Sequence, residues 1–211
     1  MSNPKTIAIL AAGEFPRSEG VLRLLDDADM IICCDSAAAD LVASGREPSL
    51  IVGDLDSLSA DLQERFADRL RKVDEQEDND LTKAFYAALE FSPAYIHILG
   101  ATGRREDHTL GNISLLARYQ QEANGCGIDL VSDYGVFVAA SGKHTFACRP
   151  GQEISIFAFD NTLRISASGL QYPTEGVVFD SLWKATLNVA TNTSFTIKPS
   201  NNSFYLVYLP R

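Results

Sequence analysis

Through the first two thirds of the chain, short apolar runs alternate with segments whose apolar residues recur every three or four positions. Runs at Thr6–Ala11, Met30–Cys34, Leu50–Val52, Tyr95–Leu99 and Ile128–Val131 predict buried strands, with a shorter one at Arg71–Val73. Between them, Ser18–Ala28, Ser36–Ser44, Ser59–Leu70, a stretch from Asn79 or Asp80 to Phe91, and one from Asp107 to Glu122 predict helices. Buried strands alternating with amphipathic helices predict a parallel wound sheet covered on both faces. In such sheets ligands bind beyond the carboxyl ends of the strands. Those ends carry Ala12-Gly13, Asp35-Ser36, Gly53-Asp54 and Gly100-Ala101.

From Ser141 onward the pattern changes to short strand-like runs separated by Gly, Pro, Asn, Asp and Ser, with no helical period. They start at Val136, His144, Glu153, Thr162, Thr186, Phe195 and Phe204, and predict a small all-β sandwich or barrel. Two domains are therefore expected, residues 1–140 and 141–211.

Composition narrows the classes of function. With 28 acidic and 18 basic residues the formal net charge is −10, which argues against a general nucleic-acid binder. An anionic ligand needs local help from arginines or a metal. No signal-peptide pattern and no apolar run of membrane-spanning length is present, so a cytoplasmic location is expected. Cys33, Cys34, Cys126 and Cys148 form no CxxC pair and predict reduced, buried thiols.

The candidate chemistry lies at the strand ends. Gly53-Asp54-Leu55-Asp56-Ser57 follows a strand, and if extended backbone persists past Gly53 its two carboxylates point to one side. Such a pair calls for a cation, and Mg²⁺ takes one or two carboxylates together with waters and substrate phosphates. The bland alternative is a turn with two solvated acids. Asp35 fits a helix N-cap as well as a site residue. The acids of Gln76-Glu-Asp-Asn-Asp80 fit either a site or the positive end of the helix that carries Lys83. Gly100-Ala-Thr-Gly-Arg-Arg-Glu-Asp-His108 is a Gly-rich strand-to-helix loop. It offers N–H groups, Arg104 and Arg105 to an anion, or else is a polar loop with Asp107 as cap. His108 is either a base or a local hydrogen-bonding residue, and His97 in its apolar strand is structural. Trp183 is a core aromatic or a stacking platform.

Taken together, four motifs resemble those of the thiamine pyrophosphokinases. They are Asp35-Ser-Ala-Ala, Gly53-Asp-Leu-Asp-Ser57, Glu75-Gln-Glu-Asp-Asn-Asp-Leu-Thr-Lys-Ala84 and Gly100-Ala-Thr-Gly-Arg-Arg-Glu-Asp-His-Thr-Leu-Gly-Asn112. Gly169–Pro173 and the segment around Asn188 fit as well. Ser36-Ala37 stands where the family has Gly-Gly, Asn79 where it has Thr, Arg104 where it has the loop's second Gly, and Leu187 where it has Ser. The resemblance implies transfer of diphosphate from ATP to the thiamine hydroxyl, giving thiamine diphosphate and AMP. It implies Mg²⁺ on Asp54, Asp56 and Asp80, charge stabilisation by Arg105, and Asp107 orienting or deprotonating the hydroxyl. It further implies nucleotide or phosphate contacts from Asp35, Ser57, Gln76, Lys83, Gly100, Arg104, His108 and Asn112. Trp183 and Asn188 then contact thiamine across a homodimer interface. Rival readings are a metal-dependent phosphohydrolase of a nucleotide or diphosphate, and a non-catalytic thiamine or nucleotide binder.

Overall fold

The computed structural model describes residues 5–75 and 77–211. Five parallel strands come first: β1 (Thr6–Leu10), β2 (Met30–Cys34), β3 (Leu50–Gly53), β4 (Leu70–Lys72) and β5 (Tyr95–Leu99). Helices α1 (Glu19–Asp26), α2 (Ala37–Ala43), α3 (Ala60–Arg65) and α4 (Asp80–Leu89) connect them, and α5 (Glu106–Glu122) leads to β6 (Gly127–Val131). Their order in the sheet is β6-β5-β1-β2-β3-β4. The chain winds outward from β1 to β4 and then returns to the other side of β1, so a crevice opens between the ends of β1 and β5.

Both faces are packed. One buries Ile7, Ile9, Ile96, Ile98 and Ile128 against Leu81, Phe85, Leu116 and Tyr119 of α4 and α5. The other buries Ala8, Leu10, Ile31, Cys33 and Ile51 against Val21 and Leu25 of α1 and Leu41 of α2. This two-sided burial explains why the strands read as continuous apolar runs rather than alternating ones.

The later strands pair antiparallel, four of them extending the same sheet and three forming another. They are β7 (Gly135–Ala140), β8 (His144–Ala147), β9 (Glu153–Ala158), β10 (Ile165–Ser168), β11 (Ala185–Val189), β12 (Ser194–Pro199) and β13 (Tyr205–Pro210). The order β11-β9-β13-β7 joins β6 to complete ten strands, while β10-β12-β8 form a second sheet. Ile154, Ile156, Tyr205 and Val207 of the large sheet pack against Phe146, Ile165, Phe195 and Ile197 of the small one. The expected antiparallel sandwich is present, and one of its layers is the end of the α/β sheet.

Most element limits shift by one or two residues from the sequence reading, and two elements differ by three or more. The strand expected to start at Thr162 begins at Ile165, because the Asp160 carboxylate accepts from the Thr162 N–H (2.8 Å) and hydroxyl (2.6 Å) and fixes a turn. Helix α3 stops at Arg65 rather than Leu70. Phe66 turns into the core as its C-cap, and a short 3₁₀ turn follows at Ala67–Arg69. Cys33, Cys34 and Cys126 are buried thiols as expected, whereas Cys148 is half-buried. His97 is indeed structural: its Nδ1 lies 2.7 Å from Asp129 Oδ1 on the neighbouring strand. Among the described residues no helix is long and apolar enough to cross a membrane.

A buried polar chain ties α4 to α5. The Asn79 side chain caps α4 by accepting from the Thr82 N–H (2.9 Å) and hydroxyl (2.8 Å). The Thr82 hydroxyl lies 2.7 Å from the Tyr119 hydroxyl, and the Tyr119 ring stacks on Phe85 with centroids 4.3 Å apart. Tyr119→Phe keeps the stack and removes one buried hydrogen bond. We expect a loss of about 1 kcal/mol in urea unfolding, with an unchanged transition slope.

Candidate active site

A cleft of about 590 Å³ lies over the carboxyl ends of β1, β2 and β3 and the first turn of α4. Ala11, Ala12, Cys34, Asp35, Ser36, Asp54 and Ser57 line one side; Glu77 to Leu81, Lys83, His108 and Asn112 line the other. Asp35, Asp54 and Asp80 thus come from three separate elements into one space.

Asp35 is not the cap of α2. That position belongs to Ser36, and Asp35 adopts φ +30°, a left-handed conformation uncommon outside glycine. Its buried carboxylate turns to β3, where Oδ2 accepts from the Ser57 N–H at 3.2 Å. Oδ1 is buried with no hydrogen-bond partner. Burial, offset by the Ser57 bonds and reinforced by the negative charges of Asp80 and Asp54, raises the Asp35 pKa above the ordinary carboxylate value. Gly53 makes this approach possible, since a Cβ there would sit 2.9 Å from Asp35 Cβ.

Extended backbone does not persist past Gly53. Leu55 has φ +67°, and Asp54 Oδ1 accepts from the Asp56 N–H at 3.1 Å, so the two acids enclose a turn. Asp54 faces the cleft while Asp56 is exposed and does not line it. The period-two argument therefore fails here, and Asp35 supplies the second carboxylate beside Asp54.

Lys83 is buried, with its Nζ 3.5 Å from Asp80 Oδ1. It is the one lysine of the cleft lining. Asn112 lines the cleft too, but its amide is engaged: Nδ2 donates to Ala101 O (2.8 Å) and Oδ1 accepts from Asn79 Nδ2 (3.2 Å). It ties the β5 loop to the cap of α4. Gln76 lies outside the described residues.

The Gly-rich loop frames an adjoining cleft of about 210 Å³, lined by Ala12, Gly13, Thr102, Arg104, Arg105 and His108 among others. The loop is pinned to the end of β1: the Gly13 N–H donates to Gly100 O (2.5 Å) and the Glu14 N–H to Thr102 O (2.7 Å). Gly100 has φ +63°, and a Cβ there would meet Ala11 O at 2.7 Å, so only glycine fits. Arg105, the N-cap residue of α5, is exposed and pairs with Asp107 through Nη2 and Oδ2 at 2.5 Å. Asp107 also accepts from the His108 N–H (2.8 Å), and the two interactions hold its pKa down to about 2. A carboxylate that acidic is a weak proton acceptor, and Asp107 lines neither cleft. Its placement suits orienting Arg105 better than deprotonating a hydroxyl.

In the sandwich, Trp183 is 67% exposed, which removes the core alternative, and the Lys184 ammonium sits 4.8 Å from its ring centroid. Leu182, Leu187 and Tyr172 are also exposed, and Leu187 has φ +59° at a bulge in β11. Asn188 is buried. Its Oδ1 accepts from the Tyr172 N–H (3.0 Å) and its Nδ2 donates to Tyr172 O (2.8 Å), so it fixes backbone and leaves the exposed apolar residues to face outward.

The class is now defined: a wound α/β protein with an acidic cleft over the carboxyl ends of its strands, continued into an antiparallel sandwich. Comparison with known proteins makes this specific. The family model for the thiamin pyrophosphokinase catalytic domain matches residues 21–127, and that for the thiamin pyrophosphokinase substrate-binding domain matches residues 135–208. The chain belongs to the thiamin pyrophosphokinase family. It is 34% identical over 116 residues to thiamine pyrophosphokinase of Bacillus subtilis, covering 53% of this chain and 54% of that one. It is 31% identical over 121 residues to thiamine pyrophosphokinase 1 of Oryza sativa, 46% of each chain. These alignments span about half the length of either relative. The crystal structure of the Bacillus subtilis protein superposes with a TM-score of 0.78 at 24% identity, covering 98% of this chain and 99% of that one. Yeast thiamin pyrophosphokinase gives 0.78 at 12% identity, covering 98% and 87%. At such identities the likeness shows a shared fold.

The raised Asp35 pKa yields a signed prediction. The folded protein takes up this proton more readily than the unfolded chain, so the electrostatic penalty is absent below the ordinary carboxylate range. It grows as pH rises through the raised value and is complete above it. Asp35→Asn is therefore expected to raise the thermal midpoint at pH 7, with the gain fading as the pH is lowered below the shifted pKa. Calorimetry across pH checks this; a variant less stable than the parent at pH 7 contradicts it.

Proposed function

We propose that this protein is an ATP-dependent thiamine diphosphokinase, moving diphosphate from ATP to the thiamine hydroxyl and releasing AMP. The observation that carries this reading is the buried Asp35, its Oδ1 without a hydrogen-bond partner, lining one cleft with Asp54, Asp80 and the buried Lys83. An uncompensated carboxylate cluster asks for a cation, and a lysine with free N–H groups asks for an anion. Magnesium polyphosphate answers both. Membership of the family supplies the identity of the second substrate.

The residues fit Mg²⁺ by their chemistry, since all three are hard oxygen donors and one oxygen lacks any partner. Among the described residues no group of three or more His, Cys, Asp or Glu side chains is gathered closely enough to hold a metal alone. Mg²⁺ does not require that, because it is ordinarily held by one or two carboxylates and completed by waters and phosphates. One or two of the Asp35, Asp54 and Asp80 carboxylates would hold it together with waters and phosphate oxygens, and it would neutralise charge on the transferring group. Asp56, implied as a ligand by the resemblance, does not line the cleft, and its backbone N–H donates to Asp54 Oδ1. Lys83 binds phosphate oxygens from the floor of the cleft. Arg105, oriented by Asp107, and Arg104 approach from the smaller cleft and offset charge at the nucleotide.

Residues 1–140 thus supply nucleotide and metal contacts, and 141–211 supply the thiamine surface. Trp183, with Leu187 beside it in sequence, presents an apolar face suited to a planar heterocycle, while Asn188 fixes the strand that carries them. The exposure of both side chains supports completion of the site by a second copy, in a homodimer.

Incubation with ATP, Mg²⁺ and thiamine, followed by chromatography, tests the reading. AMP and thiamine diphosphate are expected in equal amounts, with Asp54→Asn and Asp80→Asn each losing about a hundredfold or more in kcat. Phosphate or AMP released without thiamine indicates a hydrolase, and thiamine binding without turnover indicates a non-catalytic binder. Trp183→Ala is expected to raise the KM for thiamine by about two- to tenfold with the KM for ATP unchanged. Equal effects on both constants would remove Trp183 from the thiamine surface.

A further inference from the structure

Arg104 stands where the family has glycine, and the structure gives its side chain a definite resting place. From the loop pinned to β1 it reaches across to α2, donating from Nη1 to Ala12 O (3.2 Å) and from Nη2 to Asp40 Oδ2 (2.9 Å). Both partners are about half exposed, so the pair is screened and readily exchanged. Arg104 lines the smaller cleft and Ala12 lines both clefts, which puts the guanidinium where the two spaces adjoin.

Charge around that junction is unbalanced. Asp35, Asp54, Glu77, Asp78 and Asp80 line the larger cleft against a single buried lysine, and of these Asp78 is paired with Arg118 outside the lining. The two loop arginines are the obvious counterweight, yet Arg105 is held by Asp107 and Arg104 by Asp40. An incoming polyphosphate must therefore compete with a carboxylate for the guanidinium of Arg104. Asp40 lines neither cleft, and its side chain reaches toward them through its contact with Arg104.

We propose that Asp40 is a positioning residue that withholds Arg104 from the nucleotide phosphates, so that the Asp40–Arg104 pair sets how tightly this chain holds ATP. The proposal rests on the nucleotide-binding part of the reading above, not on thiamine being the acceptor. The Arg105–Asp107 pair is confined to one loop, two positions apart, whereas Arg104–Asp40 ties that loop to α2; Arg118, bridging Asp78, Glu122 and the Tyr86 hydroxyl, lines neither cleft.

Equilibrium titration with ATP, inorganic tripolyphosphate and adenosine tests it. Asp40→Asn is expected to bind ATP and tripolyphosphate about two- to fivefold more tightly and adenosine unchanged, the gain a half-exposed ion pair releases. Arg104→Gly should bind both polyphosphates more weakly, and Asp40→Asn added to it should change nothing further. In turnover the KM for ATP falls in Asp40→Asn while kcat and the KM for thiamine stay put. Asp40→Ser must give the same sign, and thermal unfolding verifies that each variant is folded. Equal or weaker polyphosphate binding by Asp40→Asn overturns the proposal. So does a gain that persists in the Arg104→Gly background, since that would be a general charge effect. Tighter ATP binding with no thiamine diphosphate formed would sink the thiamine activity and leave the role of Asp40 standing.

Discussion

The burial of the Asp35 carboxylate at the end of β2, in the cleft that Asp54 and Asp80 also line, is the constraint on which the rest of this molecule turns. Asp35 sits buried at the end of β2 because Gly53 at the end of β3 has no side chain to exclude it. Asp54 follows Gly53 directly, and Asp80 opens α4 across the cleft. The stability lost there is offset elsewhere, in the three hydrophobic clusters that flank the ten strands.

Around that cluster the architecture assigns separate tasks to separate elements. The β1 and β5 loops lock together through Gly13, Glu14, Gly100 and Thr102, giving the arginines a fixed base. The cap of α4 is tied through Asn79 to Asn112 and through Thr82 to Tyr119, which fixes Asp80 and Lys83 in relation to the sheet. Arg104 and Arg105 each rest on a carboxylate, and on our account this tempers the attraction of the site for anions. In the sandwich, Asn188 spends its amide on the Tyr172 backbone and so leaves Trp183 and Leu187 on the surface.

Much of this was legible from the chain. Apolar runs broken by amphipathic segments gave the wound sheet because burial on two faces erases alternation in the strands. The motifs at the strand ends pointed to the cleft for the same topological reason. Three features were not legible. Asp35 looked like a cap because Asp before a helix ordinarily is one; only the left-handed φ and the close approach of Gly53 turn it inward. Asp54 and Asp56 looked like a same-side pair because period two assumes extended backbone, and Leu55 breaks it. Asp40 gave no signal at all, since its meeting with Arg104 spans 64 positions and depends on how two loops are pinned.

Anomalous diffraction from crystals grown with Mn²⁺ and a non-hydrolysable ATP analogue tests the central claim most directly. The account predicts a Mn²⁺ peak within roughly 2.2 Å of oxygens from the Asp35, Asp54 and Asp80 cluster and of the nucleotide phosphates, with Asp35 Oδ1 gaining a partner directly or through a water. Nucleotide bound in the cleft with the metal elsewhere, or with that oxygen still alone, would contradict it.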